Sequence, residues 1–242
     1  MSKANITKSL CVLALLFFAS FGAKAQLSHL VQSVYMNANF PSINFNDRMT
    51  TMTVPMNKDF IGTEAITGVG LGYRISYRFD IGFGEVSPYV HADFNWNSIR
   101  GDLRDMYIDS SCSAPAYFNI PVYVGVNYRY QMTEIFTPFA EFGIGYDLML
   151  VTKEGGSTTV APTLKYQTSG AMGWQIGAGS FFGQHVSAGL HFSGYGKHVM
   201  EYNNNTANDL QAWDAANGTS LYDTSKPKRR IGVFSIRIGF HF

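Results

Sequence analysis

Residues 229–242 read RRIGVFSIRIGFHF, and this stretch decides the fold. From position 232 onward the even positions are Gly232, Phe234, Ile236, Ile238, Phe240 and Phe242. The odd positions turn polar halfway along, at Ser235, Arg237 and His241. A period of two indicates a β-strand, because successive side chains of a strand point to opposite faces. A last strand with one apolar face and an aromatic end predicts a closed barrel set in lipid.

The N-terminal segment, 1–25, predicts a cleaved signal peptide. A basic start precedes an apolar run over 10–21, and Ala23-Lys24-Ala25 has the small-residue pattern of a cleavage site. The apolar run is too short to cross a bilayer as a helix. We therefore expect cleavage after Ala25 and one β-barrel domain over 26–242.

Composition excludes several classes of protein. Removing three lysines with the signal peptide lowers Lys plus Arg from 18 to 15 against 17 acids, a formal charge of −2. This balance argues against a nucleic-acid partner. Charged residues make up 14% of the chain, where soluble domains have about 25%, and aromatic residues make up 15%. After residue 25 no apolar run reaches the length of a transmembrane helix, so any membrane crossing is expected to use strands.

Candidate metal and disulfide chemistry is sparse. Cys112 is the one cysteine after residue 25, so neither an intrachain disulfide nor a Cys-rich zinc site is expected. His91, His191 and His241 fall on separate strands without ligand spacing. The sequence therefore predicts no metal and no cofactor.

Eight segments carry the two-residue alternation. They are residues 29–40, 63–79, 86–97, 117–131, 138–150, 170–182, 186–198 and 229–242. The links between them alternate between long and short, and the long ones are 41–62, 98–116, 151–169 and 199–228. A barrel of the outer-membrane type has short periplasmic turns and long external loops. The fold class predicted is all-β: an eight-stranded antiparallel up-and-down transmembrane β-barrel, whose interior side chains fill.

The composition of the polar strand faces indicates whether they point into the barrel or out of it. A soluble lipocalin-type barrel would turn them to water, but they are rich in Gly, Asn and Tyr and almost without lysine, unlike a solvated face. We therefore expect the polar faces to line the lumen and the apolar faces to meet lipid. The predicted lumen charge network has five cations and three acids: Arg74, Arg78, Arg129, Lys197 and Arg237 with Asp93, Glu141 and Asp147.

The whole chain after residue 25 resembles the small bacterial outer-membrane β-barrel domain family, of OmpA/OmpX-like architecture. The signal-peptide junction, the eight alternating strands and the terminal Phe-His-Phe carry the resemblance. In that class a last strand of the type polar-x-Gly-x-x-aromatic-x-aromatic is the signal for the assembly machinery. Ser235, Phe240 and Phe242 match its polar and aromatic positions, while Arg237 stands at its glycine position.

The resemblance implies a location and partners. It places the protein in the bacterial cell outer membrane, where it meets the assembly machinery and the surrounding lipid. Lipopolysaccharide is a candidate contact, because the basic cluster KPKRR (226–230) precedes the last strand near the outer rim. We expect a monomer, and the surface ligand is left open.

His191 and Ser193 form the one spacing that points to an enzyme. They lie two residues apart on one strand face, where an imidazole can activate a hydroxyl. The pair is similar to the His-x-Ser-Asn pattern of the outer-membrane lipid A deacylases, but Gly194 stands at the asparagine position and no third carboxylate is assigned. We therefore expect no catalytic site.

Three functions stay open at this point. The favoured one is non-enzymatic, either structural or surface interaction through the long external loops, with 199–228 as the first loop to test because it holds Trp213 and Tyr222. The first alternative is narrow transport of small polar solutes through a positively charged lumen. The second alternative is lipid A modification by His191 and Ser193.

Overall fold

The computed structural model describes residues 29–42, 45, 65–109, 112–133, 135–155, 163–199, 201–217 and 228–242, so the predicted signal peptide lies outside the described residues. The strands are β1 (Leu30–Ser42), β2 (Gly68–Tyr77, continued by Phe79–Asp80), β3 (Glu85–Ser98), β4 (Ala116–Arg129), β5 (Phe136–Val151), β6 (Ser169–Phe182), β7 (Val186–Val199) and β8 (Lys228–His241). Each pairs antiparallel with the next, and β8 pairs with β1. The predicted eight-stranded up-and-down barrel is confirmed, and with it the resemblance to small outer-membrane barrels at the level of the fold.

The seam between β1 and β8 closes the barrel. It runs in register from Ser33–His241 to Ser42–Gly232, and Gln32 and Phe242 exchange two backbone hydrogen bonds of 3.0 Å. Gln32 is the polar misfit on the apolar face of β1. It is nevertheless fully buried and accepts a 2.8 Å hydrogen bond from the Tyr73 hydroxyl. The Tyr73 side chain on the outer face thus shields the Gln32 amide from lipid.

The apolar face of every strand points out of the barrel, and the polar face points in. Exposed outward residues include Leu71, Val90, Val122, Val124, Phe142, Ile144, Ile176, Leu190, Ile236 and Ile238. Inward neighbours such as Asn95, Tyr123 and Gln175 are buried. An apolar belt of this extent is the lipid-facing surface of a transmembrane barrel, and a lipocalin-type barrel would show the opposite arrangement.

Pro88 lies opposite a short interruption in β2. The β2–β3 ladder stops at Ser76–Tyr89 and resumes at Phe79–Val86 in the same register. Pro88 lies in the gap and has no N–H to donate to the ladder. Arg78 therefore lies in the interruption, near the short-turn end of the barrel.

A β-bulge in β7 reverses the alternation near the long-loop end. The β7–β8 register shifts between Gly194 and Gly196, and Gly196 has φ +88°. One extra residue moves every later side chain to the other face. Tyr195 still points inward, but Lys197 is exposed outside the barrel and His198 is buried within it. The expectation that Lys197 lines the lumen was therefore wrong.

Replacing Gly196 by alanine tests the bulge. A left-handed φ strains any residue with a Cβ, and this Cβ would also meet the carbonyl oxygen of Met172. We expect Gly196→Ala to lower the free energy of unfolding by about 1–3 kcal/mol, measured by urea titration in lipid vesicles. Gly101→Ala is the control, because nothing lies within 4 Å of a Cβ there. Equal midpoints for the two variants would contradict the bulge.

The long loops fold over one end of the barrel and contain two helices that the strand pattern did not predict. Helix α1 (Gly101–Asp109) follows β3, and helix α2 (Asn204–Asn217) follows β7. Asn203 caps α2, since its Oδ1 accepts a 2.9 Å hydrogen bond from the Thr206 N–H. Within the described ranges, neither helix is long and apolar enough to cross a bilayer.

Short bridges join the long loops to one another. Isolated β-bridges connect Ser113 with Gly155, Glu154 with Leu164, and Tyr166 with Tyr202. The second, third and fourth long loops thus form one structure, which we call the cap: residues 99–115, 152–168 and 201–217 where described. The cap covers the long-loop end of the barrel.

Candidate functional site

Side chains from all eight strands fill the middle of the barrel. One buried side chain from each strand, in order, is Tyr35, Arg74, His91, Asn127, Glu141, Gln175, His191 and Arg237. An eight-stranded barrel is just narrow enough for its interior to be filled in this way. The described lumen is therefore a packed polar core, and its chemistry is that of paired buried charges.

Arg74 and Glu141 form the central ion pair. The two guanidinium nitrogens Nη1 and Nη2 of Arg74 each donate a 2.7 Å hydrogen bond to a separate Glu141 oxygen. Asn127 donates a third hydrogen bond of 3.1 Å to Glu141, and the Arg74 guanidinium lies 4.1 Å from the Tyr89 ring centre. Bidentate geometry with further hydrogen bonds is what a buried pair needs to offset its desolvation.

Arg237 and Asp93 form a second pair beside the seam. Arg237 Nη2 donates to Asp93 Oδ2 at 2.9 Å, and Arg237 Nε donates to Asn37 Oδ1 at 3.0 Å. His91 Nε2 lies 3.0 Å from the other Asp93 oxygen. Arg237 Nη1 lies 3.7 Å from Glu141, which links the two pairs. Strands β1, β3, β5 and β8 are thus tied together through side chains.

The other two predicted cations of the strands lie near the short-turn end. Arg129 is buried, stacks 3.9 Å from the centre of the Phe181 ring and donates to Asn127 Oδ1 at 3.1 Å. Arg78 is partly exposed at the rim, and its Nε lies 3.9 Å from a Glu85 oxygen. Neither Arg78 nor Arg129 pairs with Asp93, Glu141 or Asp147, the three acids of the predicted lumen network.

Asp147 pairs with a histidine instead of an arginine. Its Oδ2 lies 3.0 Å from His198 Nε2, a contact that exists because the bulge turns His198 inward. Within the described lumen, Arg74, Arg129 and Arg237 therefore face three carboxylates: Asp93, Glu141 and Asp147. The expected surplus of positive charge is not found in this part of the chain.

His241 lies deep in the short-turn end of the barrel between two hydroxyls. Its Nδ1 is 2.7 Å from Ser33 Oγ, and its Nε2 is 2.7 Å from Ser187 Oγ. Among the described residues, no group of three or more His, Cys, Asp or Glu side chains could hold a metal ion. His91 and His191 lie at opposite ends of the charge network that Arg237 joins, beside Asp93 and Glu141, whereas His241 lies apart from it between the two serines.

His191 and Ser193 share the lumen face of β7, as their spacing predicts. Both are buried, and His191 Nδ1 lies 3.2 Å from Glu141 Oε1. The described residues show no hydrogen bond between His191 and Ser193. The pair therefore faces the packed interior and not the lipid in which a lipid A substrate would lie.

The residues of the predicted assembly signal lie on both faces of β8. Ser235 points inward and donates a 2.8 Å hydrogen bond to Asn39 Oδ1. Phe240 and Phe242 are exposed on the outer face at the short-turn end. Arg237 stands at the glycine position of the pattern, and its side chain points inward and pairs with Asp93 in the lumen. Recognition of these positions by an assembly machinery stays a prediction.

A layer of buried apolar side chains, contributed by the strand ends and by the underside of the cap, lies over the polar lumen. It comprises Phe45, Ala65, Ile99, Tyr107, Tyr117, Met149, Ile231 and Val233. The alternating segment 63–79 was predicted to include Ala65, but β2 begins only at Gly68, and Ala65 instead pairs with Ile99 under the cap. The long-loop mouth is thus closed by packed side chains.

Glu154 is a buried acid that joins the loops of the cap. It accepts hydrogen bonds from the Tyr107 hydroxyl of α1 at 2.5 Å and from the Tyr166 hydroxyl at 2.7 Å. Tyr166 in turn stacks on Tyr202, with ring centres 5.3 Å apart. Burial raises the pKa of Glu154 above its ordinary value, an effect that the two phenol hydrogen bonds reduce. Sequence patterns missed this site because the loops carry no periodicity.

The raised pKa of Glu154 predicts a pH-dependent cap. The folded cap holds the proton more tightly than the unfolded loop, so this stabilisation is complete below the unfolded pKa and is lost as pH rises through the folded pKa. We expect the cap to melt at a lower temperature as pH rises through that window, followed by Trp213 fluorescence with Trp96→Phe and Trp174→Phe in the background. Glu154→Gln should flatten the dependence. An unchanged slope in Glu154→Gln would contradict the assignment.

Comparisons with known proteins assign no function to the chain. No family model matches it, and no curated protein does. Among solved structures it is similar to the attachment invasion locus protein Ail of Yersinia pestis (10% identity, 90% of this chain and 100% of that chain covered, TM-score 0.42). It is also similar to OprG from Pseudomonas aeruginosa (11%, 88% and 94%, 0.41) and to the outer membrane enzyme PagL (13%, 86% and 97%, 0.40). At these identities and TM-scores no ligand or activity carries over, and the fold rests on the strand order and register described above.

Proposed function

We propose that the protein is a non-enzymatic barrel of the bacterial outer membrane that presents a folded cap at the cell surface, in a structural or surface-interaction role. The observation that carries the proposal is the closed lumen: paired charges fill it, and an apolar layer closes it beneath the cap. A predicted signal peptide over 1–25 supports export. Lipopolysaccharide and the assembly machinery are the partners that this location offers.

The cap surface supports an interaction role. Helix α2 buries Thr206 and Leu210, with the Thr206 hydroxyl accepting a 3.1 Å hydrogen bond from the Lys165 N–H, and leaves Asn204, Asn205, Asn208 and Gln211 exposed. Such a surface is polar and rich in amides, which suits hydrogen bonding to a polar partner better than insertion into lipid. Trp213, on the same helix, is half-buried. Tyr222 of the same loop lies outside the described residues.

Conductance in planar lipid bilayers tests the proposal against narrow transport. We expect no discrete current steps from inserted barrels. The Arg74–Glu141 and Arg237–Asp93 pairs fill the lumen, so an ion could pass only if these buried pairs were broken, which is costly. A general porin in the same bilayers is the positive control. Reproducible steps from the purified barrel would overturn the closed-lumen proposal and favour transport.

Mass spectrometry of lipid A tests the proposal against an enzymatic role. We expect identical lipid A from cells that carry the wild-type barrel, the Ser193→Ala variant or no barrel, since His191 and Ser193 face the packed lumen. Loss of an acyl chain in the wild-type strain alone would overturn the non-enzymatic assignment.

A further inference from the structure

Arg129 is a buried cation without an acid at hydrogen-bond distance. Its Nε donates to Asn127 Oδ1 at 3.1 Å, but the nearest carboxylate oxygen in the described part of the chain, Glu85 Oε2, lies 3.9 Å from Nη1. This distance is too long for a hydrogen bond from nitrogen to oxygen. A buried charge is favourable only when it is closely paired, so Arg129 has the capacity for a further acceptor.

The arginines and acids of the described lumen balance in number but not in position. Asp147 is paired in the β4–β5 register with Pro121, whereas Arg129 comes eight residues later on β4. At about 3.3 Å per residue, this separation is roughly 26 Å along the strand. Asp80, at the same end as Arg129, is exposed in the turn and accepts a hydrogen bond from the Gly82 N–H. Buried positive charge is therefore concentrated at the short-turn end of the barrel.

Arg78 brings a second guanidinium group to the same place. Its Nε lies 3.9 Å from the same Glu85 oxygen that Arg129 approaches, and this nitrogen has no hydrogen-bond partner among the described residues. Two nitrogens grouped around one oxygen at this distance can both reach a single oxyanion that takes the place of the Glu85 carboxylate. Glu85 can turn to water, because its side chain is 37% exposed at the start of β3.

Ser87 adds a hydroxyl between the two arginines. It is fully buried, and its Oγ has no hydrogen-bond partner within the described ranges. The register places Ser87 opposite Asn127, to which Arg129 donates, and the register on both sides of the β2 interruption places it opposite Arg78. A buried hydroxyl normally has a partner, so Ser87 is a further donor for a ligand at this point. We call Arg78, Ser87 and Arg129 the lower lumen site.

We propose that the lower lumen site binds the phosphate group of a small soluble anion that enters from the short-turn end. Two guanidinium groups and a hydroxyl offer donors in several directions, which suits the oxygens of a phosphate. The wall formed by β2, β3 and β4 separates these donors from lipid, so the occupant is a soluble phosphate and not a lipid headgroup. In the orientation of the proposed function this end faces the periplasm, and only the source of the anion rests on that orientation.

Isothermal titration calorimetry with inorganic phosphate tests the site in the intact barrel, purified in a non-ionic detergent at constant ionic strength. We expect saturable binding of phosphate. A second titration uses barrels in vesicles of phosphatidylcholine with or without phosphatidylglycerol, and it distinguishes a soluble anion from a headgroup. Phosphate binding that the anionic lipid leaves unchanged is expected, whereas competition by phosphatidylglycerol would overturn the assignment to a soluble anion.

Variants of opposite sign locate the binding. Arg129→Gln should weaken phosphate binding about tenfold or more, the effect of losing a charge-assisted hydrogen bond. Glu85→Gln should strengthen it, because the carboxylate that competes with the anion is removed. Arg104→Gln is the matched control, since it removes an exposed arginine, 3.8 Å from Asp105, at the opposite end of the barrel. If Arg129→Gln does not fold, Arg78→Gln at the rim replaces it, with a loss in the same direction. Absence of saturable binding, or equal binding in wild type, Arg78→Gln and Glu85→Gln, would overturn the proposal.

Discussion

Arg74→Ala is expected to lower the free energy of unfolding by about 3–5 kcal/mol. The substitution leaves the Glu141 carboxylate buried in the lumen without the two 2.7 Å hydrogen bonds that compensate its charge. An uncompensated buried charge costs far more than the same pair contributes at a surface. Urea unfolding in lipid vesicles, followed by tryptophan fluorescence, measures the loss.

Arg78→Ala is the matched control for Arg74→Ala. Arg78 comes four residues later in the chain, but its side chain is 30% exposed at the rim and lies 3.9 Å from Glu85. Pairs of this kind contribute about 0–1 kcal/mol, so the variant should unfold close to the wild type. A loss for Arg74→Ala no larger than that for Arg78→Ala would contradict the packed lumen.

Val124→Arg should have the second largest effect. Val124 lies in the middle of β4 on the outer face and is 53% exposed. An arginine at the midplane of a lipid-facing strand costs about 2–4 kcal/mol. Tyr130→Arg, beyond the end of the same strand, should cost only about 0–1 kcal/mol, since the interface is wet. Equal unfolding midpoints for the two variants would show that depth in the bilayer does not matter at Val124.

The strands and their faces could be predicted because a barrel in lipid imposes the same alternation on every strand. Val122, Val124 and Val126 face out and Tyr123 faces in, as the period of two requires. The alternation failed at Gly196, because a bulge changes the face of a side chain without changing the sequence pattern around it. His198 was missed for this reason, and Lys197 was assigned to the wrong face.

Side-chain pairing inside the barrel could be predicted only as a set of candidates. The sequence identified Arg237 as a lumen residue with Asp93, Glu141 or Asp147 as its partner, and in the structure Arg237 donates to Asp93 at 2.9 Å while Glu141 lies 3.7 Å away. Glu154 and its tyrosines were not predicted, because contacts between separate loops leave no local periodicity.

Spin labels along β4 test the central claim, that apolar faces meet lipid and polar faces fill a closed lumen. Single cysteines at Val122, Val124 and Val126, and at Tyr123 and Asn127, are labelled with a nitroxide in a Cys112→Ser background and reconstituted in vesicles. Collisions with dissolved oxygen, which concentrates in lipid, are predicted to be frequent at the three valine positions and rare at the other two. Frequent collisions with a water-soluble relaxation agent at the valine positions, or no alternation along β4, would contradict the account.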